Sequence, residues 1–274
     1  MKINAVMLQT DPKPGALESN RLHVARMIEQ SMKFSKKPDL ILLPETWNSP
    51  YTFSGVHSLR EQARQNAEPI DGASITLLCA LAKKYSVWIG AGSITLQPEA
   101  HTDRYYNSTF LISRQGELVT RYDKIHLCAW AHENEVFSYG EGLSTPQTEL
   151  GTLGMIICYD IRFGELSRIH ALNGAQVLLV PACFSTSLAQ WRQMIIARAV
   201  ENQLFVLACG TCGENHVGHS LAVAPDGTIL AEAGDEEEIL TAELDLEQIR
   251  AIRGVVSYLE DRRPEIYGRY GLVK

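Results

Sequence analysis

The chain has 274 residues, 45% hydrophobic and 21% charged, with 20 Gly and 11 Pro. That composition excludes the disordered, fibrous and disulfide-scaffold classes. A formal net charge of −7 leaves no basic excess to neutralise a phosphate backbone, so nucleic acid is excluded as a partner.

From the N-terminus, residues 3–9 alternate as a core strand, and no basic region, apolar stretch and cleavage site of a signal peptide precede them. An amphipathic helix is predicted over 17–35, a buried strand at Leu40-Ile41-Leu42-Leu43 ending at Pro44, and a helix over 73–85 after the Asp71-Gly72 turn. Strands at 87–95 and 106–114 follow, then a hairpin turn at Gln115-Gly116 and a strand at 117–122. The second half repeats the theme, with a strand at 153–158, a helix over 164–173, a strand at 176–180 and a helix over 187–202. Strands are predicted at 204–210, 219–224, 228–232 and 238–243, the middle two joined at Asp226-Gly227, before a helix over 246–252. Short strands paired with longer helices predict an α/β fold with helices covering the sheets, and no linker or repeat divides residues 1–274, so one domain is expected. No apolar run reaches the ~18 residues of a membrane span. The Asp235–Glu238 run reads as a solvated turn.

The six cysteines, at 79, 128, 158, 183, 209 and 212, are too few and too irregular for a disulfide framework. Reduced thiols and a cytoplasmic location are expected.

Three segments place reactive residues where strands end. LLPETW (42–47) delivers Glu45 past a buried strand; alone, such a residue is more often a solvated cap. RYDKIHL (121–127) carries Lys124, although lysine ordinarily lies on the surface. GMIICYDIRFGEL (154–166) ends an apolar strand in Cys158 just before a helical pattern, where backbone N–H groups and a helix N-terminus could stabilise a thiolate. The bland alternative is that Cys158 is simply the last buried residue of its strand.

Together PETW, YDKIHL and CYDIRFGEL, followed in order by ARAVENQ (197–203) and GHS (218–220), resemble the nitrilase, or carbon–nitrogen hydrolase, superfamily along essentially the whole chain. The resemblance implies a four-layer αββα sandwich in which Glu45, Lys124 and Cys158 converge as catalytic residues. It also implies a second acidic residue near the lysine loop. Counting back from Gly140 favours Glu133, with Glu135 as the alternative.

The implied chemistry is hydrolysis of a small carboxamide to acid and ammonia through a thioester, with no cofactor and no metal. Glu45 serves as base and acid, and Lys124 and the Tyr159 N–H hold the oxyanion. CYDIRF and AVENQ look most like the omega-amidase branch, acting on 2-oxo acid amides, with Arg162 a candidate fork for the substrate carboxylate. Phe184 and Trp191, in the segment 180–191, either shape the pocket or are core. Gly164, where relatives usually carry proline, and the short 180–191 loop depart from that branch. Deaminated glutathione amidase, nitrilase and N-carbamoyl amino acid hydrolase activities, or an inactive binding member, are the alternatives. A zinc reading of Cys209, Cys212, His216 and His219 is disfavoured by their tight spacing. A homodimer or higher homo-oligomer is expected, with Tyr267 and Tyr270 in the C-terminal ~20 residues as a candidate contact tail.

Overall fold

A computed structural model describes residues 1–52, 54–98 and 102–271. The first half runs β1 (Lys2–Gln9), α1 (Leu17–Ser31), β2 (Leu40–Leu42), α2 (Val56–Asn66), α3 (Ala73–Tyr85), β3 (Trp88–Gly90), β4 (Ile94–Leu96), β5 (Tyr106–Ile112), β6 (Leu118–Asp123) and α4 (Glu133–Val136). The second runs β7 (Gln147–Thr148), β8 (Gly151–Met155), α5 (Gly164–Leu172), β9 (Val177–Ala182), α6 (Leu188–Asn202), β10 (Phe205–Gly210), β11 (Leu221–Val223), β12 (Ile229–Glu232), β13 (Glu238–Asp245), α7 (Glu247–Val255) and α8 (Pro264–Arg269).

The strands form two sheets. One is ordered β13-β1-β2-β3-β5-β4, with β6 added on β5, and the other β12-β11-β10-β9-β8-β7. β1, β2 and β3 are parallel, as are β8, β9 and β10, because a helix-containing connection returns the chain each time. β13 closes the first sheet by pairing β1 antiparallel from Lys2↔Asp245 to Gln9↔Glu238.

The two-residue period of β1 sorts its side chains between layers. Ile3, Ala5 and Met7 join the core shared with β8, β9 and β10, while Val6 and Leu8 pack with Val24 and Ile28 of α1 and Leu78 of α3. On the far side of the second sheet, Leu166 of α5 and Trp191, Ile195 and Ala199 of α6 enter the same core. The layering is helix, sheet, sheet, helix, as the motifs implied.

Several elements differ from the sequence reading, among them the short α4, β7 and α8, which it did not contain. The strand expected at 87–95 breaks into β3 and β4, because Gly92 sits at φ +61 and the segment around it supports another loop. The strand expected at 153–158 stops at Met155, which leaves Ile156 and Ile157 to carry Cys158 clear of the sheet. α2 has no counterpart in the reading: its mean hydropathy is low and only Leu59, Ala63 and Asn66 are buried, so its apolar stripe is thin. Of the expected C-terminal contact tail, Tyr267 and Tyr270 are described and residues 272–274 lie outside the described residues.

Candidate active site

Four strand ends meet at one point. β2 runs into Pro44-Glu45-Thr46, β6 into Lys124, β8 into Cys158 and β9 into Cys183-Phe184. The glutamate loop is seated on the β3–β4 break, where the Thr46 N–H donates to Ser93 Oγ at 3.1 Å and Trp47 Nε1 to the Ala91 carbonyl at 2.8 Å. A Cβ on Gly92 would lie 2.1 Å from the Pro44 carbonyl, so only glycine permits this contact. The lysine loop is closed in the same manner by Gly140, whose N–H donates to the Lys124 carbonyl at 2.9 Å and where a Cβ would lie 2.0 Å from the Asp123 carbonyl.

Glu45, Lys124 and Glu133 are 3%, 2% and 5% exposed and form one chain of hydrogen bonds. Lys124 Nζ donates to Glu45 Oε1 at 2.9 Å and to Glu133 Oε1 at 2.8 Å. Asn107 Nδ2 donates to Glu45 Oε1 at 2.8 Å and the Cys183 N–H to Glu45 Oε2 at 2.8 Å, while the Cys128 N–H donates to Glu133 Oε2 at 2.7 Å. Both carboxylates are thus aimed by donors other than Lys124. Glu135 is turned away and pairs with His132 at 2.7 Å. It is Glu133 that faces the lysine.

Burial acts against the Lys124 charge, but Glu133 and Glu45 outweigh it and hold the ammonium well above the ordinary lysine range. Glu133 is moved upward by burial, opposed by Lys124. Burial, then the Glu45 charge, push the Cys158 thiol well above its ordinary value, so it rests protonated. A raised thiol agrees with the reading that Glu45 takes the Cys158 proton, but the helix N-terminus that the sequence offered to the thiolate is not beside it. Cys158 opens a 3-10 turn over Cys158–Arg162, and α5 begins only at Gly164, too far on to lend its N-terminus. Cys158 also takes a left-handed backbone, φ +42, uncommon away from glycine and characteristic of residues held for function. The first bond of its turn runs from the Asp160 N–H to the Ile157 carbonyl, so the turn does not consume the Tyr159 N–H.

These groups face a narrow cavity of about 50 Å³ lined by Glu45, Lys124, Glu133, Cys158, Tyr159, Arg162 and Phe184, with Tyr51 and Trp130 among its other walls. Arg162 lies over the rings of Tyr159 and Phe184, 5.7 and 5.1 Å from their centroids, and Nη2 donates to Thr186 Oγ1 at 3.3 Å. Among the described residues it makes no ion pair. Phe184 shapes the cavity, whereas the fully buried Trp191 packs behind it with ring centroids 5.1 Å apart and belongs to the core.

The cysteine–histidine series scatters. Cys209 Sγ donates to the Leu8 carbonyl, His216 Nε2 meets Cys183 Sγ at 2.8 Å, and His219 lies between Glu232 and Asp235. Among the described residues no group of three or more such side chains is arranged to hold a metal ion. Asn107 and Cys183 escaped the sequence reading. Asn107 is the first of three consecutive polar residues in β5, Asn107-Ser108-Thr109, with nothing local to single it out, and Cys183 contributes its backbone, which side-chain chemistry does not announce.

The profile of the carbon–nitrogen hydrolase family matches residues 4–254. The chain is 34% identical to omega-amidase NIT3 of Saccharomyces cerevisiae, covering 97% of this chain and 95% of that protein. It is 33% identical to 2-oxoglutaramate amidase of Bacillus subtilis, covering 97% and 100%. The crystal structure of Saccharomyces cerevisiae Nit3, a member of branch 10 of the nitrilase superfamily, superposes with a TM-score of 0.84 over 93% of this chain and 94% of that one, at 34% identity. The chain belongs to the carbon–nitrogen hydrolase family and is an enzyme that cleaves carbon–nitrogen bonds as an amidase.

Proposed function

We propose that the enzyme is an omega-amidase, hydrolysing the terminal amide of a short 2-oxo acid such as 2-oxoglutaramate or 2-oxosuccinamate. The observation that carries this reading is the narrow cavity of about 50 Å³ that joins Cys158, Glu45 and Lys124 to the guanidinium of Arg162. A short substrate that is an amide at one end and a carboxylate at the other suits that arrangement. The yeast and Bacillus subtilis relatives, named for omega-amidase and 2-oxoglutaramate amidase activities, support it.

Glu45 Oε1 already accepts from Asn107 and Lys124, and Oε2 from the Cys183 N–H, so one lone pair of Oε2 remains for the Cys158 thiol. Glu45 removes the thiol proton as sulfur attacks the amide carbon. Lys124 Nζ and the Tyr159 N–H stabilise the tetrahedral oxyanion. Collapse breaks the C–N bond, and the proton on Glu45 passes to departing ammonia. Water, deprotonated by Glu45, then attacks the thioester and releases the acid and the thiol. Glu133 holds Lys124 charged and aimed, and forms no covalent bond. No step calls on a cofactor or a metal.

We further propose that residues 1–274 act as one catalytic domain, in the cytoplasm, and as a homo-oligomer. The free cysteines support a reducing compartment, and no helix of the described residues is long and apolar enough to cross a membrane. Ile169 and Leu172 on α5 and the 87% exposed Tyr270 support a self-contact, which solution scattering tests.

Ammonia release from 2-oxoglutaramate, 2-oxosuccinamate, deaminated glutathione, a simple nitrile and an N-carbamoyl amino acid tests the substrate, with Cys158→Ala as control. The short oxo-amides should be preferred, and Cys158→Ala should lose at least ~10⁴-fold in kcat. Preference for another substrate moves the enzyme to a different branch; turnover by Cys158→Ala removes the thioester scheme.

A further inference from the structure

We propose that Asp160, which lines no part of the cavity, is a positioning residue that locks the cysteine loop to the lysine loop. Its side chain is fully buried, and each oxygen accepts two hydrogen bonds. Oδ2 accepts from the Ile157 N–H at 2.9 Å and the Tyr122 hydroxyl at 2.7 Å. Oδ1 accepts from the His126 N–H and from His126 Nδ1, both at 2.9 Å. Two backbone N–H groups can only donate, and four contacts fill the acceptor sites of an ionised carboxylate. The contacts are those of a side chain that only accepts, with the Nδ1 tautomer of His126 completing the set.

The partners are placed in a telling way. Ile157 is the residue before Cys158, and its bond fixes the chain where it turns into the left-handed conformation of the nucleophile. Tyr122 and His126 bracket Lys124 two residues to either side. β6, which leads to the lysine, belongs to the first sheet, and β8, which leads to the cysteine, to the second. The distance between sulfur and ammonium thus depends on how the two sheets are spaced at this end, and one carboxylate spans that gap. His126 is also stacked on Phe163, centroids 3.6 Å apart and planes 7° apart, so Asp160 and Phe163 of the cysteine loop both grip the lysine loop. Misplacement by about an ångström costs on the order of 10²-fold in rate.

The inference rests on Cys158 and Lys124 acting as proposed. Asp160→Asn keeps the shape but turns an amide NH2 toward two donors. It should lower kcat at least 100-fold with KM within threefold of wild type, measured on protein verified as folded by circular dichroism. Tyr122→Phe removes the bond to Asp160, along with a long 3.4 Å bond the hydroxyl accepts from the Ile125 N–H, and keeps the buried ring; it should lower kcat about tenfold at unchanged KM, and the double variant should be no slower than Asp160→Asn alone. A merely structural role predicts lower melting temperatures with kcat per folded enzyme unchanged, and that result overturns the inference. If Asp160→Asn does not fold, Tyr122→Phe decides, and an unchanged kcat there overturns it. Turnover by Cys158→Ala sinks the underlying scheme, whereas inactive Cys158→Ala beside fully active Asp160 and Tyr122 variants sinks only the positioning role.

Discussion

Lys124 Nζ lies 2.8 Å from Glu133 Oε1, and both side chains are almost closed to solvent. One lysine answers two buried carboxyl groups. Such a cluster is tolerated only while every member is paired, because an uncompensated buried charge costs several kcal/mol.

Replacing Lys124 by Met should therefore abolish activity and destabilise the fold by about 3–5 kcal/mol at neutral pH. The loss should shrink in acid. Glu133 already titrates above its ordinary range through burial, and without the cation it rises further. A folded-state pKa above the unfolded one gives stability that is present at low pH and lost as pH rises through the folded value. Urea unfolding of Lys124→Met at pH 5 and pH 8 checks this, and equal destabilisation at both would contradict it.

Arg162 gives a prediction on specificity. Arg162→Met should reduce kcat/KM for 2-oxoglutaramate about 10- to 100-fold, the worth of a hydrogen-bonded charge pair of about 1.5–3 kcal/mol. A neutral amide of similar length should change less than threefold. Equal losses on both would show that Arg162 serves packing, through its contacts with Tyr159 and Phe184, and not carboxylate recognition.

The sheets and their helices were readable because β1, β9 and β10 carry continuous or alternating apolar residues and α3 and α6 are bounded by clear turn signals. Glu45, Lys124 and Cys158 were readable as candidates because each lies within three residues of a strand end in a recognisable segment. What the sequence conceals is the support. The Cys183 N–H reaches Glu45 across 138 positions, and Tyr122 reaches Asp160 across 38, so the partners have no local signature. Burial and the facing glutamate, which raise the Cys158 thiol and agree with Glu45 taking its proton, are products of the fold and are invisible in the strand-to-helix pattern.

Asn107→Leu tests the aiming of Glu45, the proposed base. Its amide donates to Glu45 Oε1 at 2.8 Å and its carbonyl receives the Lys124 N–H, so the substitution removes the first contact and keeps the second. kcat should fall about 10- to 100-fold with KM unchanged, since the lost contact orients a reacting group and binds no substrate. A rise in KM at constant kcat would assign Asn107 to binding instead.

His170 lies outside the site and should contribute to acid stability. It is fully buried on α5, where Nε2 meets the Met155 carbonyl at 3.1 Å and Nδ1 meets Thr145 Oγ1 at 2.9 Å. A carbonyl only accepts, so Nε2 bears the proton and Nδ1 receives the threonine hydroxyl, the pattern of a neutral ring. Burial lowers its pKa from 6.5 to about 4. The unfolded chain takes up the proton first, so the stability this histidine contributes is present above pH 6.5 and lost as pH falls toward 4. The loss amounts to about 3 kcal/mol. His170→Gln, which keeps a donor for the Met155 carbonyl, should be less stable at pH 7.5 yet lose less than wild type between pH 6.5 and pH 4, as read from denaturant midpoints. Parallel acid profiles for the two proteins would place the titrating group elsewhere.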